Sequence, residues 1–290
     1  MANTRQIKQR IKATSNITKI TKAMEMVSAS KMRRAQAQAL ATRPYTVALQ
    51  ESLESVASVV SSDAHPLLTT HLQGVDVLIV LSTDKGLCGS LNPTLYKNMI
   101  EWYRSKSNPF VIPVGKKAVA FSQFVGLQIF AQFQNLPDKI STKDILPIST
   151  LIREKYLSGE LKSVSVLYMD FISTLVQRPK IQQLLPIPKG HNVSQSEQTI
   201  VNQTPSEYLF EPSPQAILEH LLPYFVENSV YQSMLEAKAS EHSARMVSMK
   251  NASENAKDLS GSLTLEFNKS RQASITNELL DITTAKLAQD

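Results

Sequence analysis

A chain of 290 residues that is 42% hydrophobic and 19% charged has enough apolar residues to bury a core and too many to remain disordered. Its net charge is +6 and Cys88 is its only cysteine, so an intramolecular disulfide and an all-cysteine metal site are both excluded, which fits a reducing compartment. No run of about twenty apolar residues offers a membrane span, and the length alone suggests about two domains.

From Asn3 to about Ser58 the residues Ile7, Ile11, Thr14, Ile17, Ile20, Met24, Val27, Ala35, Ala39, Val47, Leu49, Leu53 and Val56 fall mostly three or four apart, the period of a helix. Residues 1–45 hold ten Lys and Arg against Glu25 alone, a balance of +9. A mitochondrial presequence is also basic and amphipathic, but here the helical pattern runs on for some fifty residues. The basic face lacks interleaved aromatics before Tyr45 and its apolar face is modest, which argues against a nucleic-acid stripe and a membrane-surface helix.

Ser61, Ser62, Asp63, His65 and Pro66 break the pattern, and Val75–Leu81 then reads as a buried strand. The loop Ser82–Gly89 follows. Next come a helix over 93–106, a strand over 110–114, a helix over 116–124 and a strand over 127–133. A helix over 144–156 and strands over 164–172 and 181–187 complete the series. Strands alternating with helices predict a Rossmann-like α/β domain around a largely parallel sheet. Lys189–Ser206 is polar, lacks periodicity and reads as a loop. From Gln215 to the end only Pro223 and Gly261 interrupt a stretch of strong helix formers, too long for an ordinary globular helix and too charged for a membrane span. It predicts a coiled coil. From Glu207 onward the balance is −5, so this segment and the basic N-terminal helix attract when packed along each other. The predicted organisation is a long antiparallel pair of helices, over 1–60 and 207–290, with an α/β domain over 74–190 inserted between them.

Chemical motifs are scarce. The loop after the first strand is where an open α/β sheet places a ligand. Gly86, Gly89 and Gly115-Lys116-Lys117 match neither dinucleotide nor phosphate fingerprints, however, and a tight strand-to-helix turn is the better reading. Cys88 has no histidine near it in sequence to act as a base and reads as a small buried thiol. His65, His71, His191, His220 and His242 lack metal-ligand spacing.

Three stretches carry a specific resemblance. They are Ile17-Thr18-Lys19-Ile20-Thr21-Lys22-Ala23-Met24-Glu25-Met26-Val27 with Ser30-Lys31-Met32, then Asp84-Lys85-Gly86-Leu87-Cys88-Gly89 with Asn92, and Ser240-Glu241-His242-Ser243-Ala244-Arg245-Met246 leading to Asn268-Lys269-Ser270-Arg271-Gln272-Ala273-Ser274-Ile275-Thr276. In order and spacing, over essentially the whole chain, they resemble the gamma subunits of rotary ATP synthases. The resemblance implies a central rotor shaft of a proton-driven synthase, without catalytic, cofactor or metal residues of its own. Implied partners are the alpha and beta subunits of the catalytic ring, the epsilon subunit and the membrane ring of proton-carrying subunits. The implied location is peripheral, on the cytoplasmic face of a bacterial inner membrane.

Residue by residue, the resemblance implies partner contacts for Lys19, Lys22, Met24 and Lys31 near the N-terminus and for Lys85 and Cys88 in the loop. It implies the same for Tyr208 and Glu211 at a membrane-proximal foot, and for Arg271, Gln272, Thr276 and Glu278 near the tip. The chain departs from the family pattern at Lys85, usually Arg, and Ser90, usually Gly. It departs again at Asp281, usually Glu, and at Thr283-Thr284, usually Ser-Gly. The cysteine-bearing regulatory insertion of chloroplast forms is absent. Two rival classes remain: a small-ligand enzyme built on the α/β domain, which would bind a nucleotide tightly, and a stand-alone coiled-coil scaffold, which would self-associate.

Overall fold

The computed structural model describes residues 4–59, 65–187, 211 and 213–287. Helix α1 spans Thr4–Val59; strand β1 (Val75–Leu81) follows a 3₁₀ turn at Pro66–Leu68. Then come α2 (Leu91–Ser105), β2 (Pro109–Val114), α3 (Lys116–Val125), α4 (Thr142–Leu157), β3 (Leu161–Phe171), β4 (Gln177–Leu185) and the 74-residue α5 (Pro214–Leu287). The chain forms two compact units, Met1–Ala29 with Arg245–Asp290, and Ser30–Ala244, so both long helices contribute to each. No helix among the described residues is long and apolar enough to cross a membrane.

In the larger unit the sheet order is β2-β1-β3-β4, with β1 parallel to both neighbours and β4 antiparallel at the edge. The apolar run of β1 is explained by burial on both faces. Val77, Ile79 and Leu81 join a core with α4 and the lower part of α5, while Leu78 and Val80 join one with α2 and α3. The predicted strand over 127–133 is corrected to two isolated bridges, Val111 to Ile129 and Val114 to Phe133. Val111 donates to Gln128 O at 2.9 Å, but the next donor along that edge of β2 is Pro113, which has no N–H, so a continuous ladder cannot form. Helix α4 begins in a capping box in which Asp144 Oδ2 accepts from Ser141 N at 2.8 Å and Ser141 Oγ at 2.7 Å; these bonds hold its carboxyl below the usual range.

Within the same unit α1 and α5 run antiparallel. Gln38 Nε2 donates to Tyr231 Oη at 2.7 Å, Asn228 Nδ2 donates to Thr46 Oγ1 at 3.0 Å, and Tyr45 meets Tyr224 edge to face at 6.0 Å.

In the smaller unit the seam differs from the apolar stripe that the sequence predicts. Thr14, Thr21 and Ser28 are 6%, 9% and 4% exposed, whereas Ile17, Ile20 and Val27 are 51%, 60% and 55% exposed. Ile7, Thr14, Thr21 and Ser28 recur every seven residues, the repeat that keeps one face of a supercoiled helix on its partner. The buried Thr21 hydroxyl needs no partner from the opposite helix, since its Oγ1 donates to Ile17 O at 2.9 Å one turn back. Met249, Ser253, Ala256 and Leu263, spaced by four, three and seven residues, lie on the buried face of α5.

Candidate functional site

The carboxyl end of β1, where an open α/β sheet places its ligand, is filled by the chain itself. Three amides at the start of α3 would cradle an anion. Instead Lys116 N donates to Asp84 Oδ1 at 2.8 Å, Lys117 N to Thr83 O at 3.1 Å and Ala118 N to Ser82 Oγ at 2.8 Å. Asn92 Nδ2 donates to Thr83 Oγ1 at 2.8 Å and lies 3.6 Å from Cys88 Sγ, which is buried. Across this corner α5 lays Met234, Ala237, Lys238 and Glu241 against Leu81, Ser82, Thr83 and Leu91. The remaining void is about 10 Å³, room for one water at most. Lys238 Nζ and Glu241 Oε2, both buried, pair at 3.3 Å. Replacing Asp84 with Ala uncaps α3 and is expected to cost about 1 kcal/mol, read as a lower urea midpoint; an unchanged midpoint would show the cap to be idle.

In that loop the side chains divide. Asp84 and Cys88 face inward, while Lys85 and Leu87 are exposed, Leu87 with a φ of +63°. The remaining site residues are scattered. Lys19 and Lys22 are exposed and share one groove with Thr18, Ala23, Met26, Ser253, Glu254 and Lys257, all within the smaller unit. Lys22 Nζ pairs with Glu25 at 3.0 Å, and Met24 is half-buried. Lys31 belongs to the larger unit, where its ammonium binds Asp138 Oδ2 at 2.5 Å and holds that carboxyl below the usual range. Asp138 was not singled out from sequence, because a residue 107 positions away gives no local signal of the pairing.

Every residue over 271–284 is exposed, among them Arg271, Gln272, Thr276, Glu278 and the apolar Ile275, Leu279, Leu280 and Ile282. Thr276 Oγ1 donates to Gln272 O at 2.9 Å, a bond within the helix. Glu211 is exposed; Tyr208 and the loop expected over Lys189–Ser206 lie outside the described residues. No group of three or more His, Cys, Asp or Glu able to hold a metal ion occurs among the described residues.

Long antiparallel helices, an α/β unit whose ligand corner is self-filled, and exposed basic and apolar helix faces define a class of protein that works through its surfaces. Comparison gives the family. Residues 3–288 match the ATP synthase family model. The chain is 43% identical over 290 residues to the ATP synthase gamma chain of Dehalococcoides mccartyi, covering 97% of each, and 41% identical over 294 residues to that of Akkermansia muciniphila, covering 100% of each. It belongs to the ATP synthase gamma-chain family. The fold is shared with the rotor of the Euglena gracilis mitochondrial ATP synthase, at a TM-score of 0.65 and 18% identity over 94% of this chain and 98% of that one. It is shared also with a chain of the Tetrahymena thermophila central stalk and c-ring, at a TM-score of 0.59 and 23% identity over 81% and 99%.

Proposed function

We propose that this chain is the central shaft of a proton-driven ATP synthase, peripheral to the cytoplasmic face of a bacterial membrane and without catalytic residues of its own. The observation that carries the reading is the filled corner of the sheet: α5 occupies the place of a ligand, while Ile17, Ile20, Val27 and the face over 271–284 stay exposed. Exposed apolar side chains in such rows are contact surface for other proteins. The relatives are ATP synthase gamma chains, and the structures sharing the fold come from rotor and OSCP/F1/c-ring assemblies of Euglena gracilis. By that kinship the partners are alpha and beta subunits, an epsilon subunit and the membrane ring.

Mechanically, one asymmetric shaft inside a ring of three equivalent sites touches each differently at any instant. Turning it carries every site through the same series of states, because each state is favoured by a different contact. The shaft needs stiffness and a few gripping points, and breaks no bonds. Lys19, Lys22, Met24, Arg271, Gln272, Thr276 and Glu278 are assigned to contacts with the catalytic ring and the exposed Lys85 to a partner contact, whereas Cys88, buried beside Asn92, is corrected to a core thiol that no partner reaches. Tyr208 and Glu211 are assigned to the foot, and Lys31 acts through its link to Asp138.

The test is reconstitution. The purified chain alone is expected to hydrolyse no ATP, while adding it to a synthase lacking it restores ATP-driven proton pumping; robust turnover by the chain alone overturns the reading. Replacing Met24 with Lys adds a third cation beside Lys19 and Lys22. Pumping per ATP hydrolysed is expected to fall severalfold, with subunit binding changed by no more than about 1 kcal/mol, as for an exposed ion pair. An unchanged ratio removes Met24 from the contact.

A further inference from the structure

The 3₁₀ turn Pro66–Leu68 sits where α1 ends and α5 begins: Leu67 and Leu68 are buried in one core with Leu53 and Val56 of α1 and Leu218 and Leu222 of α5. Leu67 O accepts from Ile187 N at 3.1 Å, so the turn also pins the exit of β4. So short a turn has few bonds of its own, Leu68 N to His65 O at 3.0 Å and Thr69 N to Pro66 O at 3.2 Å. Pro66 has no N–H to satisfy. The remaining amide, Leu67 N, donates to His65 Nδ1 at 3.1 Å. His65 is thus the N-cap, with extended backbone at a φ of −147° and a ψ of 137°.

An imidazole nitrogen accepts a hydrogen bond only while it carries no proton, because both ring nitrogens are donors in the charged form. We propose that His65 is a proton-operated clasp: neutral, it closes the turn that ties the ends of α1 and β4 to the start of α5, and protonated, it releases that turn. Protonation sets a second donor against the Leu67 N–H and leaves the amide of a fully buried residue without its acceptor. Burial of the half-buried ring lowers the His65 pKa, and the charge of Glu219 on α5 opposes that shift. From α4 comes Tyr156, whose hydroxyl donates to Thr69 O at 2.7 Å and is pushed by burial up to about 12. The His71 ring lies 4.6 Å from the Tyr156 ring, and the β4 exit, Leu184–Ile187, brings no ionisable group. For a group lowered on folding, the stabilisation is complete above the unfolded pKa, about 6.5 for histidine, and is lost as pH falls through the folded one. The turn therefore holds at neutral pH and loosens in acid. The clasp itself needs only this chain; that acidification loosens the seat of a turning shaft at its foot rests on the function proposed above.

Hydrogen exchange of the full chain, followed at the amides of residues 67–69 and 187 from about pH 8 down to about pH 5 and corrected for the intrinsic exchange rate, tests the clasp. Opening in the unaltered chain is expected to rise about fivefold over that range, the worth of one N-cap bond. His65→Asn offers an amide oxygen that accepts without regard to pH, so its profile is flat and protection persists at the acid end. His71 remains in that variant, so a slope that survives there arises elsewhere and overturns the proposal, as does a flat profile in the unaltered chain. Where the variant fails to fold, the ring resonances of His65 in the unaltered chain decide: titration below the usual histidine range upholds the clasp, and titration within or above it overturns the proposal. Failure of reconstitution overturns the shaft reading alone, since exchange is measured without partners.

Discussion

A chain cut back to Lys269 is expected to lose coupled turnover in the assembled synthase, while one lacking only its last few residues keeps it. The deletion removes Ile275, Leu279, Leu280 and Ile282, whose side chains are between 49% and 66% exposed in the isolated chain. Covering the exposed half of each in a partner contributes about 1 kcal/mol or more. Four such side chains correspond to a loss of about a thousandfold or more in affinity for the ring. Pumping driven by ATP should fall below about a tenth of its normal value on that arithmetic, with the helical circular dichroism reduced only in proportion to the residues removed. Assembly and pumping at full strength would show that this helix end is not gripped. Melting of the α/β unit is expected to stay unchanged, because residues 271–284 cover none of this chain's own core.

Gly115→Val is expected to be the most damaging single change in the α/β unit. Gly115 sits at a φ of +98°, and a Cβ there would lie 2.5 Å from Ser82 O and 3.0 Å from Ser82 C. Both are backbone atoms of the β1 loop and cannot swing aside. Strain and overpacking together should cost about 3 kcal/mol and lower the melting temperature by on the order of 10 °C. Pushing the loop away also opens the corner, so Cys88, buried in the native chain, should react faster with thiol reagents. Gly126→Ala is the control. Its φ is +75° but nothing lies within 4 Å, so only the backbone preference of about 1 kcal/mol is lost. Equal losses at the two positions would show that the approach to Ser82 is unimportant.

By itself, the sequence determined the element types, the two long terminal helices and the family. These rest on local patterns, namely helical periodicity, the unbroken apolar run of β1, and three motifs whose residues are near neighbours in the chain. Side-chain periodicity follows from backbone geometry, so it is written along the chain. Tertiary structure alone decided which face of α1 is buried. Isoleucines 17 and 20 are the more apolar choice, but only the seven-residue spacing of Thr14, Thr21 and Ser28 stays on a partner helix over several turns. It also decided that 127–133 pairs at two points only, because the missing N–H of Pro113 acts across the sheet. The filled ligand corner and the Lys31–Asp138 link depend likewise on groups far apart in sequence. Their energies come from burial and from the proximity of charges, and neither exists until the chain has folded.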